Sequence, residues 1–389
     1  MIESPLASRA GVLLGSFGQA ATKAAADKND GGMDMRRKIV AALAAVALAG
    51  FSGAAQAQKL CANPQQMQGF KTCADVAKAK QEGAFVLYTT DPERGTAQLL
   101  AAFNKLYPEI KTSFVRLQAG ALFAKLMAER RANSFLVDAL QISDLGFVLD
   151  LQKRNGYMPY ISPEMAFYKP EYNSQPEGFW TWGTIIMAGI AYNPKLVTAA
   201  EAPKTWQDLL DPKWKGAVSV KVSNSGLQHV AWYELKRIYG DEYWTKFGAL
   251  EPKAFDSYVQ QFDRMVNGQD KIVHTAQYSG YLEFKEKGAP VEFVYPPDGL
   301  PAGPETWGLI NEAPHPAAAQ LFMDWLLGVP GQIAIGEALH LNSPRDDVPP
   351  PPGGVSVKDL KLIFPKDWAA FITTRAAFAK EWDKMVGLR

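Results

Sequence analysis

At 389 residues the chain is long enough for two domains with full cores. Its formal charge of +1 excludes an electrostatic bias toward nucleic acid or a membrane surface. Charged residues at 21% and apolar residues at 47% are ordinary for a soluble globular protein and exclude a disordered or membrane-embedded one.

The first 57 residues read as an extension and a secretory signal peptide. Met35-Arg36-Arg37-Lys38 is a basic start, Ile39 to Phe51 an apolar run too short to span a membrane, and Ala55-Gln56-Ala57 an A-x-A cleavage signal. Cleavage after Ala57 and translation from Met33 or Met35 are expected, which places the mature chain in the periplasm. Both cysteines, Cys61 and Cys73, follow that point. An even count in an exported chain favours a disulfide that staples the mature N-terminus. No histidine or further cysteine stands nearby for a metal, and Lys59-Leu60 lacks the small residues of a lipid-attachment site.

Ala84 to Thr89 reads as a buried strand. Asp91-Pro92 follows as helix N-cap and first helical residue, and Leu99, Leu100, Phe103 and Leu106 recur at helical spacing. Lys111 to Leu117 is a strand, Ala121 to Arg131 an amphipathic helix, and Asp138 to Ser143 a strand. This alternation predicts a mostly parallel sheet covered by helices on both faces. A helix and an irregular aromatic segment, Tyr157 to Trp182, come next.

Trp182 to Val197 (W-G-T-I-I-M-A-G-I-A-Y-N-P-K-L-V) is apolar almost without a break from Thr184 to Ala191 and is stopped by Asn193-Pro194. Such a run suits a strand buried on both faces, the first of two crossing between two α/β lobes. Thr205 is the predicted N-cap of a short helix. A strand over Ala217 to Val222 leads into Ser223-Asn224-Ser225-Gly226 and a helix over Leu227 to Tyr239. A helix over Phe255 to Asn267 and a strand near Lys271 to Thr275 follow. Val291 to Tyr295, with Thr306 to Ile310, is read as the return crossing. His315-Pro316 opens a helix over Ala317 to Leu327, Pro349 to Pro352 is an exposed polyproline loop, and the last helix ends near Met385. No internal repeat is visible.

The stretches D-A-L-Q-I-S-D (Asp138–Asp144), I-A-Y-N-P (Ile190–Pro194), P-K-T-W-Q-D-L-L-D-P-K-W-K-G (Pro203–Gly216), G-A-P-V-E-F-V-Y-P (Gly288–Pro296) and A-P-H-P-A-A-A-Q-L-F-M-D-W-L-L (Ala313–Leu327) keep a recognisable order. In that order the chain resembles the extracellular solute-binding proteins of ABC importers, within them the type II group that includes ferric-iron and hexose-phosphate binders. The resemblance implies two α/β lobes joined by two crossing strands, a small solute held between them, and docking of the closed form on an inner-membrane permease. The expected division is 58–183 and 297–348 for the first lobe and 184–296 for the second, with 349–389 packing on the second. A monomer with no cofactor and no nucleic-acid partner is expected.

Solutes of open α/β sheets bind beyond the carboxyl ends of the strands, where helix N-termini present free N–H groups. Four loops qualify: Thr89-Thr90-Asp91, Ser143-Asp144, Ser223-Asn224-Ser225-Gly226 and Gln277-Tyr278-Ser279. Their small hydroxyl residues suit an anionic or polyhydroxy solute; equally, Ser, Thr and Asn cap helices without touching any ligand. Trp182 and Tyr278, with Trp180, could stack on a ring or cation, or simply pack. Arg345 could pair with a solute anion or form a surface ion pair.

Ferric binders of the family carry two adjacent tyrosines, and here the pair reads Tyr278-Ser279, so an organic solute is expected and a ferric carrier is the alternative. The histidines, His229, His274, His315 and His340, have no metal spacing, and His315 sits as a helix cap. There is no H-E-x-x-H, no phosphate loop, no dinucleotide fingerprint, and no G-x-S-x-G outside the signal-peptide region. No catalytic residue is assigned. From a different class, a periplasmic enzyme or receptor subunit reusing the fold is the alternative.

Overall fold

The computed structural model describes residues 61–388; the expected signal peptide, its cleavage point and the start at Met33 or Met35 lie outside the described residues. The N-terminal hairpin of β1 (Gln65–Gln66) and β2 (Lys71–Thr72) is followed by α1 (Val76–Glu82), β3 (Ala84–Thr89), α2 (Glu93–Leu106), β4 (Lys111–Arg116), α3 (Ala119–Arg131), β5 (Ala139–Ile142) and α4 (Leu145–Lys153). The central strand β6 (Thr181–Tyr192) leads to β7 (Val218–Lys221), α5 (Gly226–Tyr239), α6 (Asp241–Gly248), β8 (Lys253–Phe255), α7 (Tyr258–Val266), β9 (Ile272–Gln277), α8 (Tyr278–Glu286) and β10 (Glu292–Val294). The chain returns through β11 (Leu300–Leu309) to α9 (Pro316–Leu327) and α10 (Val329–Leu339), and ends in β12 (Leu362–Ile363), α11 (Trp368–Thr373) and α12 (Arg375–Met385).

One sheet runs β4-β3-β5-β11-β6-β9-β7-β8, with β10 added to β6 and β12 to β11. Strands β3, β4 and β5 are parallel, as are β7, β8 and β9, whereas β6 and β11 are antiparallel to each other, β6 to β9 and β10, and β11 to β5; β12 joins β11 in parallel. Two parallel α/β lobes are thus joined by two crossing strands, as expected. All twelve residues of β6 and all ten of β11 are buried. Their apolar side chains feed the cores on both sides, so period-2 alternation is absent.

The return crossing differs from its expectation. Glu292–Val294 pairs with the end of β6, and the long crossing strand is L-P-A-G-P-E-T-W-G-L, whose prolines argue against a central strand. The structure accommodates Pro304 because it faces Ile185, which donates its N–H to the Asn342 carbonyl on its other side (3.0 Å). Other departures are local. Lys253–Phe255 is a strand, so the helix after it starts at Tyr258 behind a Ser257–Gln260 capping box. Pro351 is buried within the polyproline loop. Thr205 accepts from the Asp208 N–H (3.2 Å) at a short 3-10 turn. His315 occupies the N-cap position of α9, but its ring bonds Asp138 (3.0 Å) rather than capping.

Each lobe buries a cluster on both faces of its half-sheet. On the first lobe Phe85 stacks on Phe322 (4.3 Å) beside Phe103 and Trp325, and Tyr88, Leu126 and Val148 fill the opposite face. On the second, Trp206, Trp244 and Trp382 pack under α5, α6 and α12, and Phe262, Met265 and Phe284 fill the other side. Each fully buried apolar side chain contributes about 1.5–3 kcal/mol. Cys61 and Cys73 are bonded, with Cα atoms 6.0 Å apart, at the root of the hairpin.

Arg345 is buried. Its guanidinium bonds Glu164 (2.6 Å), Asp347 (2.7 Å) and the Leu327 carbonyl (2.9 Å), while Glu164 also accepts from the Lys71 N–H (2.7 Å). This network ties the N-terminal hairpin to the chain after α10. Removing the cation leaves Glu164 buried and unpaired, so Arg345→Met should lower stability by about 3–5 kcal/mol in urea unfolding while leaving solute affinity intact. Burial also holds His274 and His229, the latter beside Arg375, neutral, with pKa values down to about 3. Folded pKa values below the ordinary 6.5 mean stability present above pH 6.5 and lost as pH falls below it. The expected slope is about 1.4 kcal/mol per pH unit for each imidazole, checked by unfolding at successive pH values.

Candidate functional site

The carboxyl ends of β3, β4 and β5 from one lobe and of β7, β8 and β9 from the other converge over the middle of β6 and β11. Between them lies a cleft of about 330 Å³. Its floor is Ile186 of β6 and Glu305 of β11; its walls include Thr90, Asp91, Arg116 and Ser143 on one side and Lys221, Asn224, Ser225 and Asp256 on the other. Five helices begin at lining residues: α2 at Pro92-Glu93, α3 at Gln118-Ala119, α5 at Ser225-Gly226, α7 at Ser257-Tyr258 and α8 at Gln277. Their unsatisfied N–H groups and dipoles make the cavity favourable to negative charge.

Four ionisable side chains dominate it. Arg116 ends β4 and Lys221 ends β7, and among the described residues neither forms a hydrogen bond or close ion pair through its cationic group. Burial pushes the Lys221 amine down to about 8; Arg116 pushes the same way, and Asp256 and Glu305 offset part of the effect. Asp91 and Glu305 are both buried and share a hydrogen bond. Burial, then the neighbouring Glu305, holds the Asp91 carboxyl well above the usual range, against the pull of Arg116. Burial pushes Glu305 up to about 7, opposed by bonds from Thr184 and Asp91 and by the Lys221 charge.

Glu305 reaches the floor because the β6–β11 register slips there: Glu305 faces Thr184, the next residue faces Trp182, and Gly183 is left over. Only glycine fits at that bulge, since a Cβ on Gly183 would stand 2.2 Å from the Trp307 ring. Thr184 then donates to Glu305 (2.8 Å).

The expected site residues fall into two groups. Thr90, Ser143, Asn224 and Ser225 line the cleft; Thr89, Asp144, Trp182, Ser223, Tyr278 and Arg345 do not. Thr89 is fully buried, and its hydroxyl bonds Gln141 (2.9 Å) and the Asp91 N–H (3.0 Å), fixing the loop rather than facing it. Asp91 is not a helix cap: α2 begins at Glu93 behind Pro92, and the Asp91 carboxyl turns to Glu305. Asp144 caps α4 through the Gly146 N–H (3.0 Å). Trp182 stacks on Tyr172 (4.4 Å) and meets Trp368 in the core. Tyr278 is buried, accepting from the Tyr295 hydroxyl (3.1 Å) and the Val355 N–H (3.0 Å). Ser225 both lines the cleft and caps α5 through Gln228 N–H (3.3 Å).

Sequence reasoning passed over Arg116, Lys221, Asp256 and Glu305. A usable signal existed for two: K-T-S-F-V-R and V-S-V-K each end a strand on a cation, and strand carboxyl ends are where ligands bind. The lobes also touch around the cleft. Gln118 donates to Asp256 (3.4 Å), and Arg375 bonds the Asn224 carbonyl (2.9 Å) while standing 3.6 Å from Asp144. Among the described residues no group of three or more His, Cys, Asp or Glu is arranged to hold a metal ion.

A family model of the bacterial extracellular solute-binding proteins matches residues 142–353, more than half of the chain, and the chain belongs to that family. It is 26% identical over 257 residues to iron uptake protein A1 of Synechocystis, covering 60% of this chain and 70% of that one. Its fold matches the periplasmic binding protein AfuA of Actinobacillus pleuropneumoniae, solved with fructose 6-phosphate. There the TM-score is 0.69 at 22% identity, over 79% of this chain and 99% of that one. It also matches iron-bound HitA of Pseudomonas aeruginosa, at TM-score 0.66 and 20% identity over 77% and 98%. The fold is thus that of the type II periplasmic binding proteins.

With its pKa near 8, Lys221 is about half neutral at pH 8, where an ordinary lysine is well under about 1% neutral. Brief acylation at pH 8 followed by peptide mapping should label Lys221 at least about tenfold faster than exposed lysines. Equal rates would show that burial does not depress it.

Proposed function

We propose that this protein is the periplasmic solute-capturing component of an ABC importer and that its solute is a small organic anion. The observation that carries the reading is the placement of Arg116 and Lys221, cations whose charged groups have no hydrogen-bond or close ion-pair partner among the described residues, on opposite walls of a cleft into which five helix N-termini open. Contacts to both walls exist only when the lobes are together. An anion bridging the two cations therefore favours the closed form by its difference in affinity, the form a permease would recognise. The Cys61–Cys73 bond supports an oxidising compartment. The reading assigns the cleft no catalytic step.

A cleft built on cations suits a phosphate, phosphonate or carboxylate group. Iron appears in the names of a relative and of a structural neighbour, and a ferric cargo is the competing reading. It fits this donor set poorly, because Tyr278 is committed to Tyr295 and Val355 away from the cleft and two cations face the cavity.

Native mass spectrometry of freshly purified protein, followed by a thermal-shift panel of sugar phosphates, phosphonates, carboxylates and ferric citrate, tests the proposal. An organic anion should raise the melting temperature, and Arg116→Met or Lys221→Met should each weaken its binding by about 10- to 100-fold, the loss of one charge-assisted hydrogen bond. A reddish protein after ferric loading, or affinity untouched by both substitutions, would overturn it.

A further inference from the structure

The floor of the cleft carries two carboxyls that capture of an anion does not by itself require. Asp91 comes from the loop after β3 and Glu305 from the bulge in β11, and the fold brings them into a shared hydrogen bond away from water. Two ionised carboxylates at such a distance repel by about 4 kcal/mol even at an effective dielectric constant of about 20. One proton held between them removes that repulsion.

The surroundings set how firmly that proton is held. Arg116 faces Asp91, and Lys221 faces Glu305; both favour the ionised form. The Tyr258 hydroxyl senses both carboxyls and is bonded to Glu283 (2.9 Å). Asp256 also lines the cleft and attracts Lys221, and Glu93 lines it at the start of α2. Of these groups, Arg116 and Lys221 are the ones an incoming anion neutralises. Once their charge is taken up by the anion, the pair loses the cations that favour ionisation of Glu305.

We propose that the Asp91–Glu305 pair couples solute capture to a proton, so that the anion neutralising Arg116 and Lys221 binds together with a proton held by the two carboxyls. The inference rests on the anion-binding reading above. It also makes the pair a specificity element: a protonated pair offers both donors and acceptors to hydroxyl groups on the solute body.

The direction of the pH dependence follows. Glu305 without solute titrates near 7, and withdrawal of the cations raises that value. Above pH 7 the solute-free pair has lost the Glu305 proton and keeps the one on Asp91, whose carboxyl is held higher, while the bound pair keeps both, so a proton is taken up and affinity falls as pH rises. Below pH 7 both states hold both protons and the dependence fades. Lys221, near 8 without solute, is raised by the anion and adds the same sign at higher pH.

The test is calorimetric titration of the full chain with fructose 6-phosphate and with sulfate, which does not itself titrate there, at pH 7.0 in buffers of different ionisation enthalpy, the proton that the sugar phosphate itself releases (second pKa about 6) being subtracted. Wild type should take up about half a proton per anion. Glu305→Gln, which holds the side chain neutral, should reduce this to about a tenth of a proton, the share left to Lys221. Glu305→Met is the second variant, with the same expected loss, should the first fail to fold. Anion binding with no proton uptake or with proton release, or uptake unchanged in the folded variants, overturns the inference alone. Failure of wild type to bind either anion counts against the anion-binding reading and takes this inference with it.

Discussion

The structure depends on the pairing of β6 with β11. Among the described residues these two strands are the only part of the sheet in which every residue is buried along ten or more positions, and each contributes side chains to both lobes. Their antiparallel ladder sits between two parallel half-sheets whose carboxyl ends point at it from either side. The geometry of the cleft follows: a parallel α/β unit places loops and helix N-termini beyond its strand ends, and two such units facing one strand pair place them on opposite walls of one cavity.

The same pairing supplies the floor. A slip of one residue at Gly183, with Trp307 packed where a Cβ would stand, aims Glu305 into the cleft instead of leaving it in the ladder. A buried carboxyl is costly unless paired or neutralised. Here it meets Thr184, Asp91 and the field of Lys221. The site therefore combines two groups that repel each other when ionised, two cations without close partners among the described residues, and helix dipoles of one sign. Such a constellation supports the proposed capture of an anion.

Several residues with the right chemistry for a ligand serve the scaffold. Arg345 closes a buried ion network with Glu164 and Asp347 behind the first lobe. Tyr278 and Trp182 anchor aromatic clusters. The hydroxyls of Thr89 and Thr90 both bond Gln141 and so hold the loop that carries Asp91. The residue types that suit recognition are also those that fix loops and cores. Only which face of the chain points into the gap distinguishes the two uses.

From the sequence alone, the α/β class, the strand–helix alternation, the first crossing strand and the order of segments shared with solute-binding proteins were legible, because each rests on local periodicity, breakers and caps. Thr90, Ser143, Asn224 and Ser225 were legible as cleft residues for the same reason, being small polar residues at strand-to-helix turns. Of the return strand only the part from Thr306 was: the prolines and glycines of Leu300–Pro304 carry no local strand pattern, and only pairing with β6 and the diverted N–H of Ile185 make that part a strand. Nor could local pattern join Asp91 to Glu305, or set Arg116 opposite Lys221, since each pair is brought together from distant segments by the sheet order. Local sequence determines which elements form; charge meeting charge across a cleft is decided by tertiary structure, because burial and distance between remote residues exist only once the sheet is assembled.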